Sequence, residues 1–186
     1  MVRDRWINLN GSWAFTYDQE KNGRSRNLQR GENFDRSITL PFCPESILSG
    51  VGNTDFIDCL WYSRAVTLPE DWTAAGRRTL LHIGACDYRT EVWINGRSVG
   101  THIGGYISFS FDITDALQPG ENRIVICAED DLRSQTQPSG KQSQRQESYE
   151  CFYTRTTGIW QTVWMENTPA SYLVRTRMTP DIAAHT

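Results

Sequence analysis

Sulfur and imidazole side chains are the first candidates for metal binding or nucleophilic chemistry. The 186-residue chain holds five cysteines and three histidines. Zinc sites normally use closely spaced Cys or His pairs, and the sequence has no Cys-x-x-Cys pair. A thiol inside an apolar run behaves as a small hydrophobic side chain. The sequence therefore predicts no metal site and reduced, structural thiols at Cys43, Cys59, Cys86, Cys127 and Cys151.

The 22 acidic residues could act as general acids and bases, but their spacing favours surface roles. Asp18, Asp35 and Asp55 fall in predicted turns, and the pair Asp130-Asp131 closes a predicted strand. Carboxylates in turns are normally hydrated. The sequence also lacks a Gly-x-Ser-x-Gly nucleophile motif and a phosphate-binding glycine loop. We therefore expect no catalytic residue and no cofactor site in this chain.

Charge and hydropathy argue against two classes of partner. The net charge is −3 and the isoelectric point is about 5.6. A nucleic-acid-binding face needs clustered Lys and Arg, and a membrane helix needs about 20 apolar residues in a row. The first ten residues carry Arg3, Asp4 and Arg5 and lack the apolar centre of a signal peptide. We expect a cytoplasmic protein with no nucleic-acid partner and no membrane partner.

The elements that must position any site are short strands. Asn95-Gly96, between two apolar runs, is a strong hairpin signal because both residues tolerate the positive φ of a type I′ turn. No window keeps a helical period over ten residues. Short β-rich segments of this kind indicate an all-β sandwich or barrel. The candidate strands are 13–18, 37–42, 61–68, 79–86, 90–95, 97–102, 108–113, 123–130, 159–166 and 173–178.

Two segments depart from this regular pattern. Residues 133–150 are polar and rich in Gln and Ser, and a loop of this length is usually either functional or mobile. Residues 172–178 begin a strand that has no hairpin partner behind it. We interpret this last strand as the start of a second β-domain.

Three segments, taken in order, resemble one protein family. They are residues 9–15 (LNGSWAF), the region from 60–62 (LWY) to 120–122 (GEN), and residues 152–164 (FYTRTTGIWQTVW). The middle region includes 82–87 (HIGACD), 92–100 (VWINGRSVG), 102–106 (HIGGY) and 109–114 (FSFDIT). Together they resemble the N-terminal sugar-binding domain of glycoside hydrolase family 2, which contains β-galactosidases, β-glucuronidases and β-mannosidases.

The resemblance implies a jelly-roll β-sandwich over residues 1–170, with residues 171–186 as the first strand of a truncated immunoglobulin-like domain. In the family a (β/α)₈ barrel follows and carries the two catalytic glutamates. Retaining hydrolysis needs two carboxyl groups about 5–5.5 Å apart, and a barrel takes about 250 residues. The chain is therefore expected to be inactive by itself and to belong to a β-galactosidase-like hydrolase of bacterial type. Its implied partners are a carbohydrate, the parent's own immunoglobulin-like and barrel domains, and a further copy if the parent is a homo-oligomer.

The resemblance also indicates which residues would reach the sugar pocket. Family members usually place an Asp six residues before the Gly-Ile of the last strand, and here that position is Phe152. This difference argues against ordinary β-galactosidase specificity. We expect the parent's barrel to be faced by Phe152, Tyr153, Arg155, Lys141 and Gln142, with Arg155 orienting a pocket carboxylate. The alternative is that Arg155 is a structural salt-bridge partner and Phe152 a core residue.

Two other functions remain open from the sequence. The chain could be a stand-alone carbohydrate-binding module with its own sugar site. It could also be a sandwich for protein interaction or oligomerisation that makes no sugar contact. The aromatic residues do not decide between these functions, because a large aromatic in an alternating strand, such as Trp93, Trp160 or Trp164, is usually core.

Overall fold

The computed structural model describes residues 3–180 and 182–183, and its regular structure is almost wholly β. Every pair of neighbouring strands runs antiparallel. The other regular elements in these residues are 3₁₀ turns of three or four residues. The strands are β1 (Trp6–Asn8), β2 (Gly11–Tyr17), β3 (Arg36–Leu40), β4 (Cys59–Thr67), β5 (Arg77–Ile83), β6 (Cys86–Asp87), β7 (Arg89–Ile94), β8 (Arg97–Ile103), β9 (Phe109–Asp112), β10 (Glu121–Glu129), β11 (Gly158–Ile159) and β12 (Val163–Pro169).

The strands form two main sheets that pack face to face. One sheet has six strands in the order β3-β2-β4-β10-β7-β8, and the other has four in the order β1-β12-β5-β9. The short strands β6 and β11 pair with each other at one end of the sandwich. Non-consecutive neighbours such as β4 and β10 show that the chain crosses repeatedly between layers. The prediction of an all-β jelly-roll sandwich is confirmed.

The hairpin between β7 and β8 shows how local sequence sets this topology. Asn95 and Gly96 both have positive φ, at 52° and 79°, as the predicted turn requires. The Asn95 side chain adds three bonds, because its amide donates to the Ala116 carbonyl and to Oδ1 of Asn122, and its oxygen accepts from the Arg123 amide. The turn is thereby fixed to the neighbouring strand β10.

The main core lies between the two sheets, where inward-facing aromatic and aliphatic side chains meet. A second, smaller cluster lies on the outer face of the six-stranded sheet and contains Trp61, Trp93 and Cys127. Because this cluster is covered by the segment that contains Leu28, β4 is buried on both faces over its first half. That explains its continuous apolar run. The largest fully buried residues of the main core are Trp13, Phe15, Leu9, Ile38, Leu40, Leu60, Tyr62, Leu81, Ile83 and Ile94.

Two strand predictions need correction. Residues 173–178 form no strand, and Leu173, Val174 and Met178 are exposed. An extended segment becomes a strand only when a neighbour supplies the ladder bonds, and among the described residues the Leu173 carbonyl accepts instead from the Arg3 guanidinium. Positions 181 and 184–186 lie outside the described residues. The assignment of 171–186 to a second domain stays a prediction.

The predicted strand 159–166 is two strands separated by three residues. β11 ends at Ile159 and pairs with β6, whereas β12 starts at Val163 and pairs with β5. Because of this break, strand alternation does not place Trp160 and Trp164 on the same face of one strand. Trp164 stacks on His82 of β5, while Trp160 turns toward the end of the sandwich.

Candidate functional site

A cavity of about 220 Å³ opens at the end of the sandwich where β6 meets β11. Its walls come from four separate parts of the chain: the end of β6, the turn after β8, the long loop that precedes β11 (residues 130–157), and the residue that follows β11. The loop folds back on itself here, because residues 142 and 153 form one bridge and residues 149 and 152 another. The lining residues are Asp87, Tyr106, Gln142, Tyr153, Thr156 and Trp160.

Asp87 supplies the carboxylate in this lining. Its side chain is 1% exposed, and its Oδ2 accepts a hydrogen bond from Nε2 of Gln142 at 2.9 Å. Its Oδ1 has no hydrogen-bond partner among the described residues. Burial raises the pKa of Asp87 to about 6, and the Gln142 bond opposes that rise. Oδ1 is closed off from solvent beside Gly105, whereas the carboxylate as a whole lines the cavity and can accept a ligand hydrogen bond there.

Gln142 is held in one orientation by its second contact. The backbone N–H of Thr156 donates to Oε1 at 2.8 Å, so Oε1 must be the acceptor and Nε2 must face Asp87. Nε2 also lies 3.4 Å from the Tyr106 hydroxyl. Gln142 is 3% exposed. It therefore connects the long loop to β6 through buried polar bonds.

Three aromatic side chains form the apolar part of the wall. Trp160 donates from Nε1 to the Gly105 carbonyl at 2.8 Å, which fixes the plane of its indole. Tyr106 meets this indole edge-on, with ring centroids 6.2 Å apart. Tyr106 and Tyr153 are about half exposed, at 48% and 47%. The wall thus offers aromatic surfaces and phenol hydroxyls to a ligand that enters from solvent.

Such a combination suits a ligand that is polar at its edges and apolar on its faces. Aromatic rings pack against C–H surfaces, while a few placed polar groups fix orientation. Cleavage of a glycosidic bond would need a second carboxyl group close to the first. Asp87 is the one carboxylate among the six described residues of the lining. The described lining thus supplies one carboxyl group, where retaining hydrolysis uses a pair.

Comparison with known proteins agrees with this geometry. The family model for "Glycosyl hydrolases family 2, sugar binding domain" matches residues 51–169. The chain belongs to this family. It is 33% identical to a β-glucuronidase of Paenibacillus borealis over 135 residues, and 34% identical to that of Felis catus over 143 residues. These matches cover 72% and 71% of the chain and 22% of each relative, so the chain spans about a fifth of the length of these relatives.

Solved structures extend the likeness to the fold of this sugar-binding domain. A β-glucuronidase from Lactobacillus rhamnosus superposes with a TM-score of 0.71 at 21% identity, over 91% of this chain and 30% of that one. A Ruminococcus gnavus β-glucuronidase in complex with uronic deoxynojirimycin gives 0.70 at 21% identity, over 89% of this chain and 30% of that one. The resemblance to the N-terminal domain of family 2 hydrolases is confirmed.

Two of the five residues predicted to face a sugar line the cavity of this sugar-binding domain, namely Gln142 and Tyr153. Lys141 is exposed and lies outside the lining, and its carbonyl accepts from the Tyr153 amide. Phe152 is half-buried and stacks on Tyr149, with centroids 4.9 Å apart. Phe152 thus belongs to the folded tip of the long loop and not to the core.

Arg155 lies inside the folded loop and binds backbone carbonyls there. Its side chain is 3% exposed, and its guanidinium donates to the backbone carbonyls of Thr54, Ser143, Arg145 and Gln146. It also lies over the Phe56 ring, 4.2 Å from the centroid. It forms no ion pair among the described residues, and the orienting of a carboxylate in the parent's barrel stays a prediction. The guanidinium thereby satisfies carbonyls of the tightly folded loop, of which that of Arg145 also accepts from the Ser143 hydroxyl.

Sequence reasoning missed four lining residues: Asp87, Tyr106, Thr156 and Trp160. Asp87 directly follows the predicted strand 79–86, a position that does not by itself indicate burial. One signal was present in the Gly104-Gly105 pair. A Cβ at Gly105 would overlap the Asp87 carboxylate, so this glycine is needed for a close approach and not only for a turn.

The predicted hydration of the turn carboxylates is wrong for Asp18 and Asp130. Asp18 is buried and accepts from Nε1 of Trp61 at 2.9 Å and from the Gly23 amide at 2.8 Å. Burial would raise the pKa of Asp18, but these hydrogen bonds and nearby Arg26 lower it overall. Burial, followed by the Asp87 charge, raises the pKa of Asp130 to about 7. Asp35 and Asp55 are exposed as expected.

The described residues contain no group of three His, Cys, Asp or Glu side chains placed to hold a metal ion. They also contain no helix long and apolar enough to cross a bilayer.

Proposed function

We propose that this chain is the non-catalytic sugar-binding domain of a larger family 2 β-glycosidase, and that its cavity contacts one glycosyl unit of the substrate. Bond cleavage then falls to carboxylates in another part of the parent protein. The parent hydrolyses O-glycosyl bonds, and its other domains pack against this one. The relatives named β-glucuronidase support the reaction class.

One observation carries the proposal: the Asp87 carboxylate and three aromatic side chains line a single cavity. A pyranose ring matches both features, because its C–H face packs on aromatic rings and its hydroxyls donate to carboxylates. Asp87 is almost fully buried, so a ligand group must enter the cavity to reach it. The volume of about 220 Å³ suits part of a sugar and not a long oligosaccharide.

Exposed apolar side chains support the packing part of the proposal. Ile103 and Ile107 flank Tyr106, while Ile47 and Leu48 protrude from the loop between β3 and β4. Large apolar side chains that project together on a monomer often mark a surface covered by another domain. Glu45 anchors the second group, because its buried carboxylate accepts from the Thr157 amide.

A stand-alone carbohydrate-binding module is the second candidate. It is favoured by the burial of Asp87 and Gln142, which already bond to each other in the cavity wall of this domain. The two functions make the same prediction for sugar contact. They differ in whether the natural protein carries a catalytic barrel, which sequencing of the gene beyond codon 186 decides.

Titration of the chain with methyl β-D-galactoside, methyl β-D-mannoside and methyl β-D-glucuronide, followed by amide NMR shifts, tests the proposal. We expect saturable shifts around Asp87, Tyr106 and Trp160 with at least one sugar. Trp160→Phe should weaken binding several-fold. The matched control is Trp164→Phe, which changes an indole that stacks on His82 outside the lining.

No saturable shift at these residues with any sugar would refute sugar contact by this domain. A second readout addresses catalysis. We expect the purified chain to release no nitrophenol from nitrophenyl β-glycosides, and a steady rate that survives further purification would refute the non-catalytic assignment.

A further inference from the structure

We infer that the Asp87 cavity selects neutral glycosyl units and discriminates against uronates. The inference rests on the proposed function and adds the substrate class. The relatives named β-glucuronidase would suggest a glycosyl unit that carries its own carboxylate, so the cavity of this chain would differ in preference.

The first argument is the charge of the lining. Asp87 is the ionised group in it, and none of its six described residues is a lysine or arginine. Two carboxylates in a partly buried site repel each other far more than in water, because the effective dielectric constant is lower. A uronate would therefore meet a buried negative charge with no cation in the described wall to offset it.

The second argument is that the two nearby basic residues of the long loop are directed elsewhere. Arg155 is buried, and its two terminal nitrogens donate to backbone carbonyls beside the Phe56 ring, while its Nε has no partner among the described residues. Lys141 is exposed and lies outside the lining, although its own carbonyl bonds to Tyr153 of the wall. A site built for a uronate normally uses such a cation to bind the carboxylate.

The third argument is the match between donors and acceptors. Gln142 satisfies Oδ2 of Asp87, while Oδ1 lacks a donor among the described residues. Oδ1 is itself closed off beside Gly105, so a ligand meets the Asp87 carboxylate from the cavity side. There a hydroxyl of a neutral sugar can donate to the carboxylate, whereas an ionised uronate carboxylate is an acceptor only and would bring a second anion beside it.

The ionisation state of Asp87 depends on the groups packed around it. They are Gln142 and Tyr106 on the cavity side, Cys86 on the same strand, and the buried carboxyl of Asp130 after β10. Burial raises the pKa of Asp87 to about 6 and that of Asp130 to about 7. As pH rises, Asp87 loses its proton before Asp130. Discrimination against uronates should then be largest above neutral pH.

The test compares methyl β-D-galactoside, methyl β-D-glucoside and methyl β-D-glucuronide by NMR titration at about pH 7.5 and about pH 5. At the higher pH we expect one of the neutral sugars to bind about tenfold tighter than the glucuronide, or more. In Asp87→Asn the ratio of neutral-sugar affinity to glucuronide affinity should fall toward one. Glu32→Gln, at an exposed carboxylate, is the matched control and should leave the ratio unchanged.

If Asp87→Asn does not fold, the comparison of the wild-type chain at the two pH values still tests the inference. The uronate stays ionised at about pH 5, but Asp87, with a pKa of about 6, is mostly protonated there. In the wild-type chain the ratio should therefore shrink several-fold at the lower pH.

The outcomes separate the inference from the proposal beneath it. Glucuronide binding as tight as that of the neutral sugars at about pH 7.5 overturns the inference and leaves sugar contact intact. The inference is also overturned if the ratio of neutral-sugar affinity to glucuronide affinity changes neither with pH nor with the Asp87 substitution. If none of the three sugars binds, the proposed function fails and the inference falls with it.

Discussion

Nε2 of Gln142 donates to Oδ2 of Asp87 at 2.9 Å, and this bond joins the long loop before β11 to the two-residue strand β6. Both residues are buried, and Gln142 is also bonded to the backbone of the same loop at Thr156. Buried polar bonds of this kind are costly to break because the remaining groups stay desolvated. The contact between this loop and β6 in the cavity wall therefore depends on the Gln142 amide.

Substitution Gln142→Leu should both loosen the loop and change the acidity of Asp87. The buried Asp87 carboxylate loses its donor, so its pKa should rise further from about 6. The free energy of unfolding should fall by about 1–3 kcal/mol, the usual cost of leaving buried polar groups unpaired. Carbon-detected NMR titration of the Asp87 carboxyl and urea denaturation measure the two effects.

Gln144→Leu is the matched control, because Gln144 is an exposed glutamine of the same loop. It should leave the pKa of Asp87 unchanged. An unchanged pKa in Gln142→Leu as well would mean that the amide does not stabilise the carboxylate in solution.

Gly105→Ala tests the close approach between the turn after β8 and Asp87. The added Cβ would overlap the Asp87 carboxylate, which must move because Gly105 is buried beneath it. We expect a loss of about 1–3 kcal/mol in unfolding free energy, typical of overpacking. Calorimetric melting measures it, and shifts in the Trp160 indole resonance report whether its bond to the Gly105 carbonyl survives.

Gly50→Ala separates this overlap from backbone strain. Gly50 has a φ of 82°, and a Cβ there would meet no atom within 4 Å. Its substitution should cost only about 1 kcal/mol through the left-handed backbone. If Gly105→Ala proved as mild as this control, the packing of Asp87 against the turn would not be as tight as described.

Arg155→Met should disorganise the long loop without disrupting the sandwich. Up to four carbonyls lose their donor, while the methionine can still cover Phe56. We expect a loss of about 3 kcal/mol and faster hydrogen exchange over residues 142–157. The control is Arg133→Met, since Arg133 lies over the same ring at 4.5 Å but is exposed. Equal effects from both substitutions would contradict the anchoring role of Arg155.

The overall fold could be predicted because its signals are local. Alternation, short apolar runs and the Asn95-Gly96 turn all reflect interactions between near neighbours. The strand at 173–178 failed for a related reason: its alternation is present, but among the described residues no edge pairs with it. An alternating pattern allows a segment to form a strand, but the strand forms only when a neighbouring strand supplies its hydrogen bonds.

The site could be predicted only in part because it depends on contacts between distant segments. Gln142 and Tyr153 were predicted to face the parent's barrel from a resemblance that already pointed to the long loop. Asp87 becomes unusual only because this loop and Gly105 cover it, and neither contact is visible in the residues around position 87. The same holds for Trp160, whose strand is interrupted where it leaves the ladder.

The buried carboxyl of Asp130 should make the stability of the chain depend on pH. Burial raises the pKa of Asp130 to about 7 in the folded chain, whereas its value in the unfolded chain is near 3.8. The folded state therefore holds a proton that the unfolded state has lost between about pH 4 and pH 7. Because the folded state binds more protons there, Asp130 makes stability fall as pH rises through this window.

Asp130→Asn removes this contribution, so the difference between wild type and variant isolates it from other groups. His82 and His102 have lowered pKa values and act in the opposite direction near pH 6, but they are common to both proteins. We expect the wild-type chain to lose stability relative to the variant by on the order of a few kcal/mol between about pH 4 and pH 7. Urea denaturation across this range measures the difference. Asp131→Asn, at the half-buried neighbouring position, is the control and should follow the wild type. A constant difference between Asp130→Asn and wild type across the window would show that Asp130 does not keep its proton in the folded chain.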